Sequence, residues 1–232
     1  MTRPVDLPVV NSPAAVLWDM DGTLVDTEPY WMVAETELVT SFGGRWSHED
    51  GMQMVGLGLW NSASILQAAG VDLDADTIVE RLTSRVQDQL VETGVPWRPG
   101  ARELLAAVRA EGMPTALVTM SVGRMATQLA ETVGFDAFDV IIAGDMVTNA
   151  KPDPEAYLRA AELLGVQTRD CVAIEDSVPG LAAAVASGAV TIGVPHMVPL
   201  AEGDADVLWP SLEGRTAADI TAVYTSTRKI YG

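Results

Sequence analysis

Two aspartates, Asp19 and Asp21, sit one residue apart at the end of a short apolar run, Ala14-Ala-Val-Leu-Trp18, and a glycine and a threonine follow them. A carboxylate can attack phosphorus as a nucleophile. A second carboxyl can give a proton to a leaving oxygen and later take one from water. In extended chain, residues i and i+2 point the same way, so both groups can face one ligand. An isolated pair of this kind is common and by itself reads as loop carboxylates that end a strand.

Three further stretches bear on that choice. Leu117-Val-Thr119-Met120-Ser121 is an apolar run that ends in hydroxyls, and a hydroxyl with the amides after it can hydrogen-bond phosphate oxygens. Lys151, in Asn149-Ala-Lys-Pro-Asp-Pro154, is one of only two lysines, the other being Lys229. An ammonium beside clustered carboxylates would neutralise charge between a nucleophile and a phosphate. Ile174-Glu175-Asp176-Ser177 is another apolar run closing on carboxylates. With Asp19 these supply hard oxygen ligands suited to Mg²⁺.

The elements that must carry these groups follow one grammar. Apolar runs at Val16–Asp19, Ala116–Thr119, Val140–Gly144, Val172–Asp176 and Val190–Val194 read as strands. Segments of helical period alternate with the last four, at Ala101–Glu111, Gly123–Val133, Pro154–Leu164 and Pro179–Ser187. Alternation of this kind predicts a parallel sheet with helices on both faces, a Rossmann-like three-layer α/β/α core. In such sheets ligands bind beyond the carboxyl ends of the strands, which is where all four motifs fall. Ala205–Trp209 reads as a short edge strand, Ala217–Tyr231 as a closing helix, and residues 1–13, with three prolines, as an irregular arm.

Between the first two strands lies an insertion too long for an ordinary crossover. It has no strand-like run; Trp31–Phe42, Asn61–Ala69 and Ala75–Val91 have helical spacing, and glycines cluster at 43–44, 51–58 and 70. This predicts a small helical cap over residues 30–97, inserted into a core of 14–29 and 98–232, with hinges near Thr27–Pro29 and Gly94–Pro99.

Composition narrows the functions. The chain of 232 residues carries a formal net charge of −18 and no basic run, which argues against nucleic acid as a partner. An anionic ligand would need a site built locally from a cation, amides and a metal. A single cysteine, Cys171, leaves no internal disulfide and fits a reducing compartment. No secretory pattern and no apolar run of about 20 residues is present, so the expectation is a cytoplasmic protein without a membrane partner.

Taken together, Asp19-Met-Asp21-Gly-Thr-Leu-Val-Asp-Thr-Glu-Pro29, Val118-Thr-Met-Ser121, Lys151-Pro-Asp-Pro-Glu-Ala-Tyr157 and Glu175-Asp-Ser-Val-Pro-Gly180 resemble the haloacid dehalogenase superfamily. The branch most similar has a helical cap after the first strand and includes β-phosphoglucomutases and phosphoglycolate phosphatases. The resemblance implies that Asp19 attacks phosphorus, that Asp21 is acid and then base, and that Thr119 and Lys151 hold the phosphoryl group. It implies Mg²⁺ held by Asp19, the Asp21 carbonyl and Asp176, with Glu175 binding directly or through water. The phosphate-binding set is then Met20, Gly22, Thr119, Met120 and Lys151.

Departures from β-phosphoglucomutases point away from a mutase. Trp31 stands where those enzymes carry a histidine, Val55–Trp60 lacks their cap arginine, and Val122 lies where a lysine is expected. Arg98 and Arg124 are the cations that could replace them. Neither His48 nor His196 has metal-ligand spacing. The cap residues Trp31, Trp46, Met52, Met54, Leu57, Leu59 and Trp60 read first as the cap's own core, and second as a wall for a partly apolar leaving group. The expected function is a Mg²⁺-dependent phosphatase of a small phosphorylated metabolite, monomeric or weakly self-associating. The alternatives are a sugar-phosphate mutase and a non-catalytic module that keeps the fold.

Overall fold

The computed structural model describes residues 12–231, with side chains through Arg228. The arm expected over residues 1–13 lies almost wholly outside the described residues. In chain order the elements are β1 (Ala15–Trp18), α1 (Glu28–Ser41), α2 (His48–Met52), α3 (Leu59–Ala68), α4 (Ala75–Thr93), α5 (Ala101–Ala110), β2 (Thr115–Val118), α6 (Gly123–Thr132), β3 (Val140–Ile142), α7 (Glu155–Leu164), β4 (Cys171–Glu175), α8 (Val178–Ala186), β5 (Val190–Gly193), β6 (Val207–Leu208) and α9 (Ala217–Tyr231). The strands form one sheet in the order β3-β2-β1-β4-β5-β6, and every pairing is parallel.

β1 lies at the centre, and all four of its residues are buried. Its side chains alternate between two apolar layers. Val16 and Trp18 join Leu104, Leu105, Met125 and Ile220 on one face, while Ala15 and Leu17 join Tyr157, Ala160, Ala183 and Ala184 on the other. That is the period of two expected of a strand covered on both sides. Trp18 is level with Leu117 of β2 and with Ile174 of β4. The chain runs from β1 through β2 to β3 on one side and then crosses to β4, β5 and β6 on the other, so the order of winding reverses at β1, the crevice position of doubly wound folds.

The strands end one residue earlier than the apolar pattern suggests at Asp19, Thr119 and Asp176. These polar residues begin the loops, and the Asp19 and Thr119 amides still donate to the Ile174 and Ile142 carbonyls, which fixes them at the strand ends. Val140–Gly144 shortens to three strand residues because Gly144 to Met146 form a 3₁₀ turn.

The insertion is helical throughout its described secondary structure, as expected, and α1 and α3 both pack on α4. Sequence periodicity missed α2, which has five residues and is closed by a capping box between Ser47 and Asp50. The two passages between core and cap run side by side: the Asp26 amide donates to the Pro96 carbonyl at 2.8 Å and the Arg98 amide to the Leu24 carbonyl at 2.9 Å. The first passage lies just before Thr27–Pro29, and the second falls within Gly94–Pro99.

The cap loop between α2 and α3 rests on the core through glycines. A Cβ on Gly56 would lie 3.0 Å from the Ser177 Cβ, and one on Gly58 would lie 2.9 Å from the Ala150 Cβ. A polar latch joins the other side: Arg124 of α6 reaches Glu80, Ser84 and Gln87 of α4, with 3.0 Å to the Glu80 carboxylate and 3.1 Å to the Ser84 hydroxyl. Exposed pairs of this kind contribute only about 0–1 kcal/mol, which suits a contact that must break. Arg124→Ala should leave global stability nearly unchanged while raising hydrogen exchange in the 54–60 loop, measured by mass spectrometry.

Candidate active site

The parallel register brings the four motifs to one end of the sheet. Asp19, the residue after β1, is buried beside Lys151 and Glu175. The Lys151 ammonium donates to Asp19 Oδ1 at 2.7 Å, Glu175 Oε1 at 2.6 Å and the Val118 carbonyl at 2.9 Å. Its three protons are therefore committed, and the group is 3% exposed. Tyr157, on the buried face of α7, donates its hydroxyl to the same Glu175 oxygen at 2.6 Å.

Electrostatics follow from this crowding. Burial, then the Glu175 charge, push the Asp19 carboxyl up to about 7 against the pull of Lys151. Burial and the charges of Asp19 and Glu175 hold Asp176 well above the usual carboxylate range. Burial works against the Lys151 ammonium, but Asp19 and Glu175 outweigh it and keep it above its ordinary value. Burial first, then Glu175, raises the Tyr157 phenol well above its usual range, so it stays a donor.

The donor set fits a hard dication. Oxygens of Asp19, Glu175 and Asp176 all lie within 4.8 Å of one another. Asp19 Oδ2 is buried and has no hydrogen-bond partner, an unsatisfied acceptor of the kind a cation completes. Glu175, expected to bind the metal directly or through water, belongs to this group and also braces the lysine. It is fully buried, and its Oε1 already accepts from Lys151 and Tyr157, so it acts on the site by fixing Lys151.

Asp21 is held by a separate ring of donors. Thr27 Oγ1 reaches its Oδ1 at 2.5 Å and Trp31 Nε1 reaches the same oxygen at 3.3 Å, while Ser121 Oγ and Thr119 Oγ1 reach Oδ2 at 2.7 and 3.3 Å. The carboxyl therefore has a fixed orientation independent of Asp19. Thr119 Oγ1 also accepts from the Ser121 amide at 3.0 Å, which sets its rotamer.

Of the expected phosphate binders, Met20, Thr119, Met120 and Lys151 come together at the strand ends, and the Met20 and Met120 amides have no acceptor among the described residues. Gly22 takes a different part. Its amide donates to the Val25 carbonyl at 2.8 Å, its φ is +87°, and a Cβ there would fall 2.0 Å from Asp176 Oδ2. The glycine makes room for a carboxylate. Gly180 does the same for Glu175, whose Oε2 lies 2.1 Å from where its Cβ would be.

The two arginines weighed as substitutes for missing cations are committed elsewhere. Arg98 braces the Asp19 loop by donating to the Gly22 carbonyl and, at 3.3 Å, to the Pro195 carbonyl; Arg124 forms the latch. His196 pairs with Asp26 at 2.8 Å beside the hinge.

Above these groups the cap closes a cavity of about 70 Å³. Its cap wall includes Glu28, Trp31, Glu35, Met54, Leu59 and Ser62. Trp31, Met54 and Leu59 also belong to the buried cluster, so both readings of the apolar cap stretch hold for them. Trp60 instead is exposed, with its indole N–H on Asp76 at 2.7 Å. A space of this size is below that of an ordinary metabolite pocket.

Sequence reasoning missed Tyr157, Glu28 and Glu35. For Glu35 a signal existed: it lies on the stripe Trp31, Ala34, Glu35, Leu38, Val39, the buried face of α1. Burial pushes it up to about 7, opposed by the Trp46 indole N–H at 3.1 Å. Burial, then the charges of Asp21, Glu35 and Asp26, push Glu28 up to about 8.

A parallel α/β core carries a helical cap and brings an Asp-x-Asp, a hydroxyl, a lysine and an acidic pair to one strand edge. The profile of the haloacid dehalogenase-like hydrolases matches residues 13–188, and the chain belongs to that family. Hexitol phosphatase B of Escherichia coli (strain K12) is 32% identical over 225 residues, covering 89% of this chain and 96% of the relative. A phosphorylated carbohydrates phosphatase of Thermotoga maritima is 33% identical over 187 residues, 78% of this chain and 85% of its own. Among solved structures, a variant of CbbY from Rhodobacter sphaeroides in complex with xylulose-(1,5)bisphosphate superposes with a TM-score of 0.79 at 30% identity, covering 87% of this chain and 96% of that one. Among the described residues no helix is long and apolar enough to cross a membrane.

Glu35 gives the site a pH signature in stability. Its carboxyl ionises near 4.5 unfolded and near 7 folded, so the folded state holds the proton more tightly and loses stability as pH rises through that window. Glu35→Gln should flatten the slope, gaining on the order of 2 kcal/mol relative to the parent between pH 5 and pH 8, measured by urea denaturation.

Proposed function

We propose that this protein is a Mg²⁺-dependent phosphatase of a small phosphorylated carbohydrate that works through an aspartyl-phosphate on Asp19. The observation that carries the reading is the buried Asp19–Lys151–Glu175 arrangement. It leaves one Asp19 oxygen neutralised by the ammonium and the other, Oδ2, unpartnered at the site. Similarity to two carbohydrate-phosphate phosphatases over most of the chain supports the substrate class.

The residues divide the work. Asp19 forms a bond to phosphorus as the bond to the leaving oxygen breaks, and Asp21 gives that oxygen its proton. Water then attacks the phosphorus, Asp21 takes its proton, and the bond to Asp19 breaks to release phosphate. Thr119 and the amides of Met20 and Met120 hold the phosphoryl oxygens while Lys151, paired with Asp19, offsets the charge beside them, so the protein's contribution is positioning and charge neutralisation. Mg²⁺ would be held by Asp19, Asp176 and the Asp21 carbonyl, and would offset the repulsion between an anionic nucleophile and an anionic ester. The donors around Asp21 keep it aimed at the leaving oxygen while its proton moves.

A non-catalytic module has little support, because the charged groups of the site are all present and brought together. The mutase reading is weakened by the cap, whose wall adds carboxylates where a second phosphate would need cations. With p-nitrophenyl phosphate and Mg²⁺ the protein should release phosphate, and Asp19→Asn should lower kcat by at least about 10³-fold. Equal rates in both proteins would remove Asp19 as nucleophile.

A further inference from the structure

The cap wall of the cavity contains an unusual group. Glu35 is 6% exposed and lines the same cavity as Asp19, Asp21 and Lys151. Its Oε2 accepts from Trp46 at 3.1 Å. Its Oε1 has no hydrogen-bond partner among the described residues. One oxygen of this carboxylate is thus held by the cap and the other is open to a donor from a ligand in the cavity.

The surroundings restrict what that ligand is. The cavity is lined by Asp19, Asp21, Glu28, Glu35 and Asp176, and Lys151 is the one cation among the lining residues. Lys151 is spent on Asp19 and Glu175. The cap side therefore offers two carboxylates, the Ser62 hydroxyl and apolar surface to whatever the phosphate is attached to. A leaving group rich in hydroxyls can donate to Glu35. A leaving group with a second phosphate or a carboxylate meets like charge inside a low-dielectric space, a repulsive element of the kind that sets specificity.

We propose that Glu35 is a specificity-determining residue: it accepts hydrogen bonds from the hydroxyls of a neutral polyol leaving group and turns away esters that carry a second anionic group. This rests on the phosphatase reading above and adds to it a residue and a rule of exclusion. It also separates this chain from the relative bound to a bisphosphate sugar.

The test measures kcat/KM at pH 8 for a hexitol monophosphate and for the corresponding hexitol bisphosphate, in the parent, Glu35→Gln and Glu35→Asp. The parent should prefer the monophosphate by roughly 100-fold or more. Glu35→Gln should narrow that ratio at least about tenfold, through a higher KM for the monophosphate and a gain on the bisphosphate. Glu35→Asp keeps the charge and should hold most of the exclusion. A parent that cleaves both esters equally well, or a ratio unchanged in Glu35→Gln, overturns the assignment while leaving the phosphatase reading intact. The parent comparison stands even if a variant fails to fold. Turnover of neither ester, nor of p-nitrophenyl phosphate, would instead remove the phosphatase reading and this inference with it.

Discussion

A single buried ammonium shared by two carboxylates organises this molecule. Lys151 binds Asp19, Glu175 and the Val118 carbonyl at once, joining the loops after β1, β2 and β3 to the end of β4. Breaking a buried pair by removing one partner typically costs about 3–5 kcal/mol, because a charge is left uncompensated. The surrounding sequence serves that arrangement: Tyr157 takes up a further valence of Glu175, and Gly180 and Gly22 leave space for the acids beside them. The same arrangement leaves Asp19 half satisfied, with a free oxygen at the mouth of the site.

The site is two electrostatic systems built side by side. Asp19, Glu175, Asp176 and Lys151 form a buried cluster whose acids repel one another and whose net charge invites a cation. Asp21, two residues from Asp19, has neutral partners in Thr27, Trp31, Thr119 and Ser121, while its charge still helps to raise Asp19. Two carboxyls so close in sequence thereby receive different environments, the condition for giving them different tasks. The cap completes the separation, since Trp31 belongs to it and holds Asp21 when the cap is down.

Much of this was legible in the residues. The parallel sheet and the inserted helical cap follow from alternating apolar runs and from proline and glycine spacing. The strand-end motifs named Asp19, Asp21, Thr119, Lys151, Glu175 and Asp176 as neighbours, and the register brings them together. What could not be read is how valences are shared. No spacing rule says that Glu175 spends its oxygen on Lys151 and Tyr157, or that Gly22 serves Asp176 through the absence of a side chain. Helix α2 was too short to show a period, and Arg98 and Arg124 could not be assigned because their partners are distant in sequence. Glu35 was readable as an acid on an apolar stripe, and only the fold gives that stripe a cavity to face.

The central claim is that the phosphoryl group passes through Asp19. Acid quenching during turnover of a saturating phosphate ester, followed by peptide mapping with mass spectrometry, tests it most directly. The account predicts a phosphoryl group on the peptide containing Asp19, localised to that residue and absent when substrate is exhausted. A phosphoryl group on any other side chain, or turnover with none on Asp19 at any quench time, would contradict it.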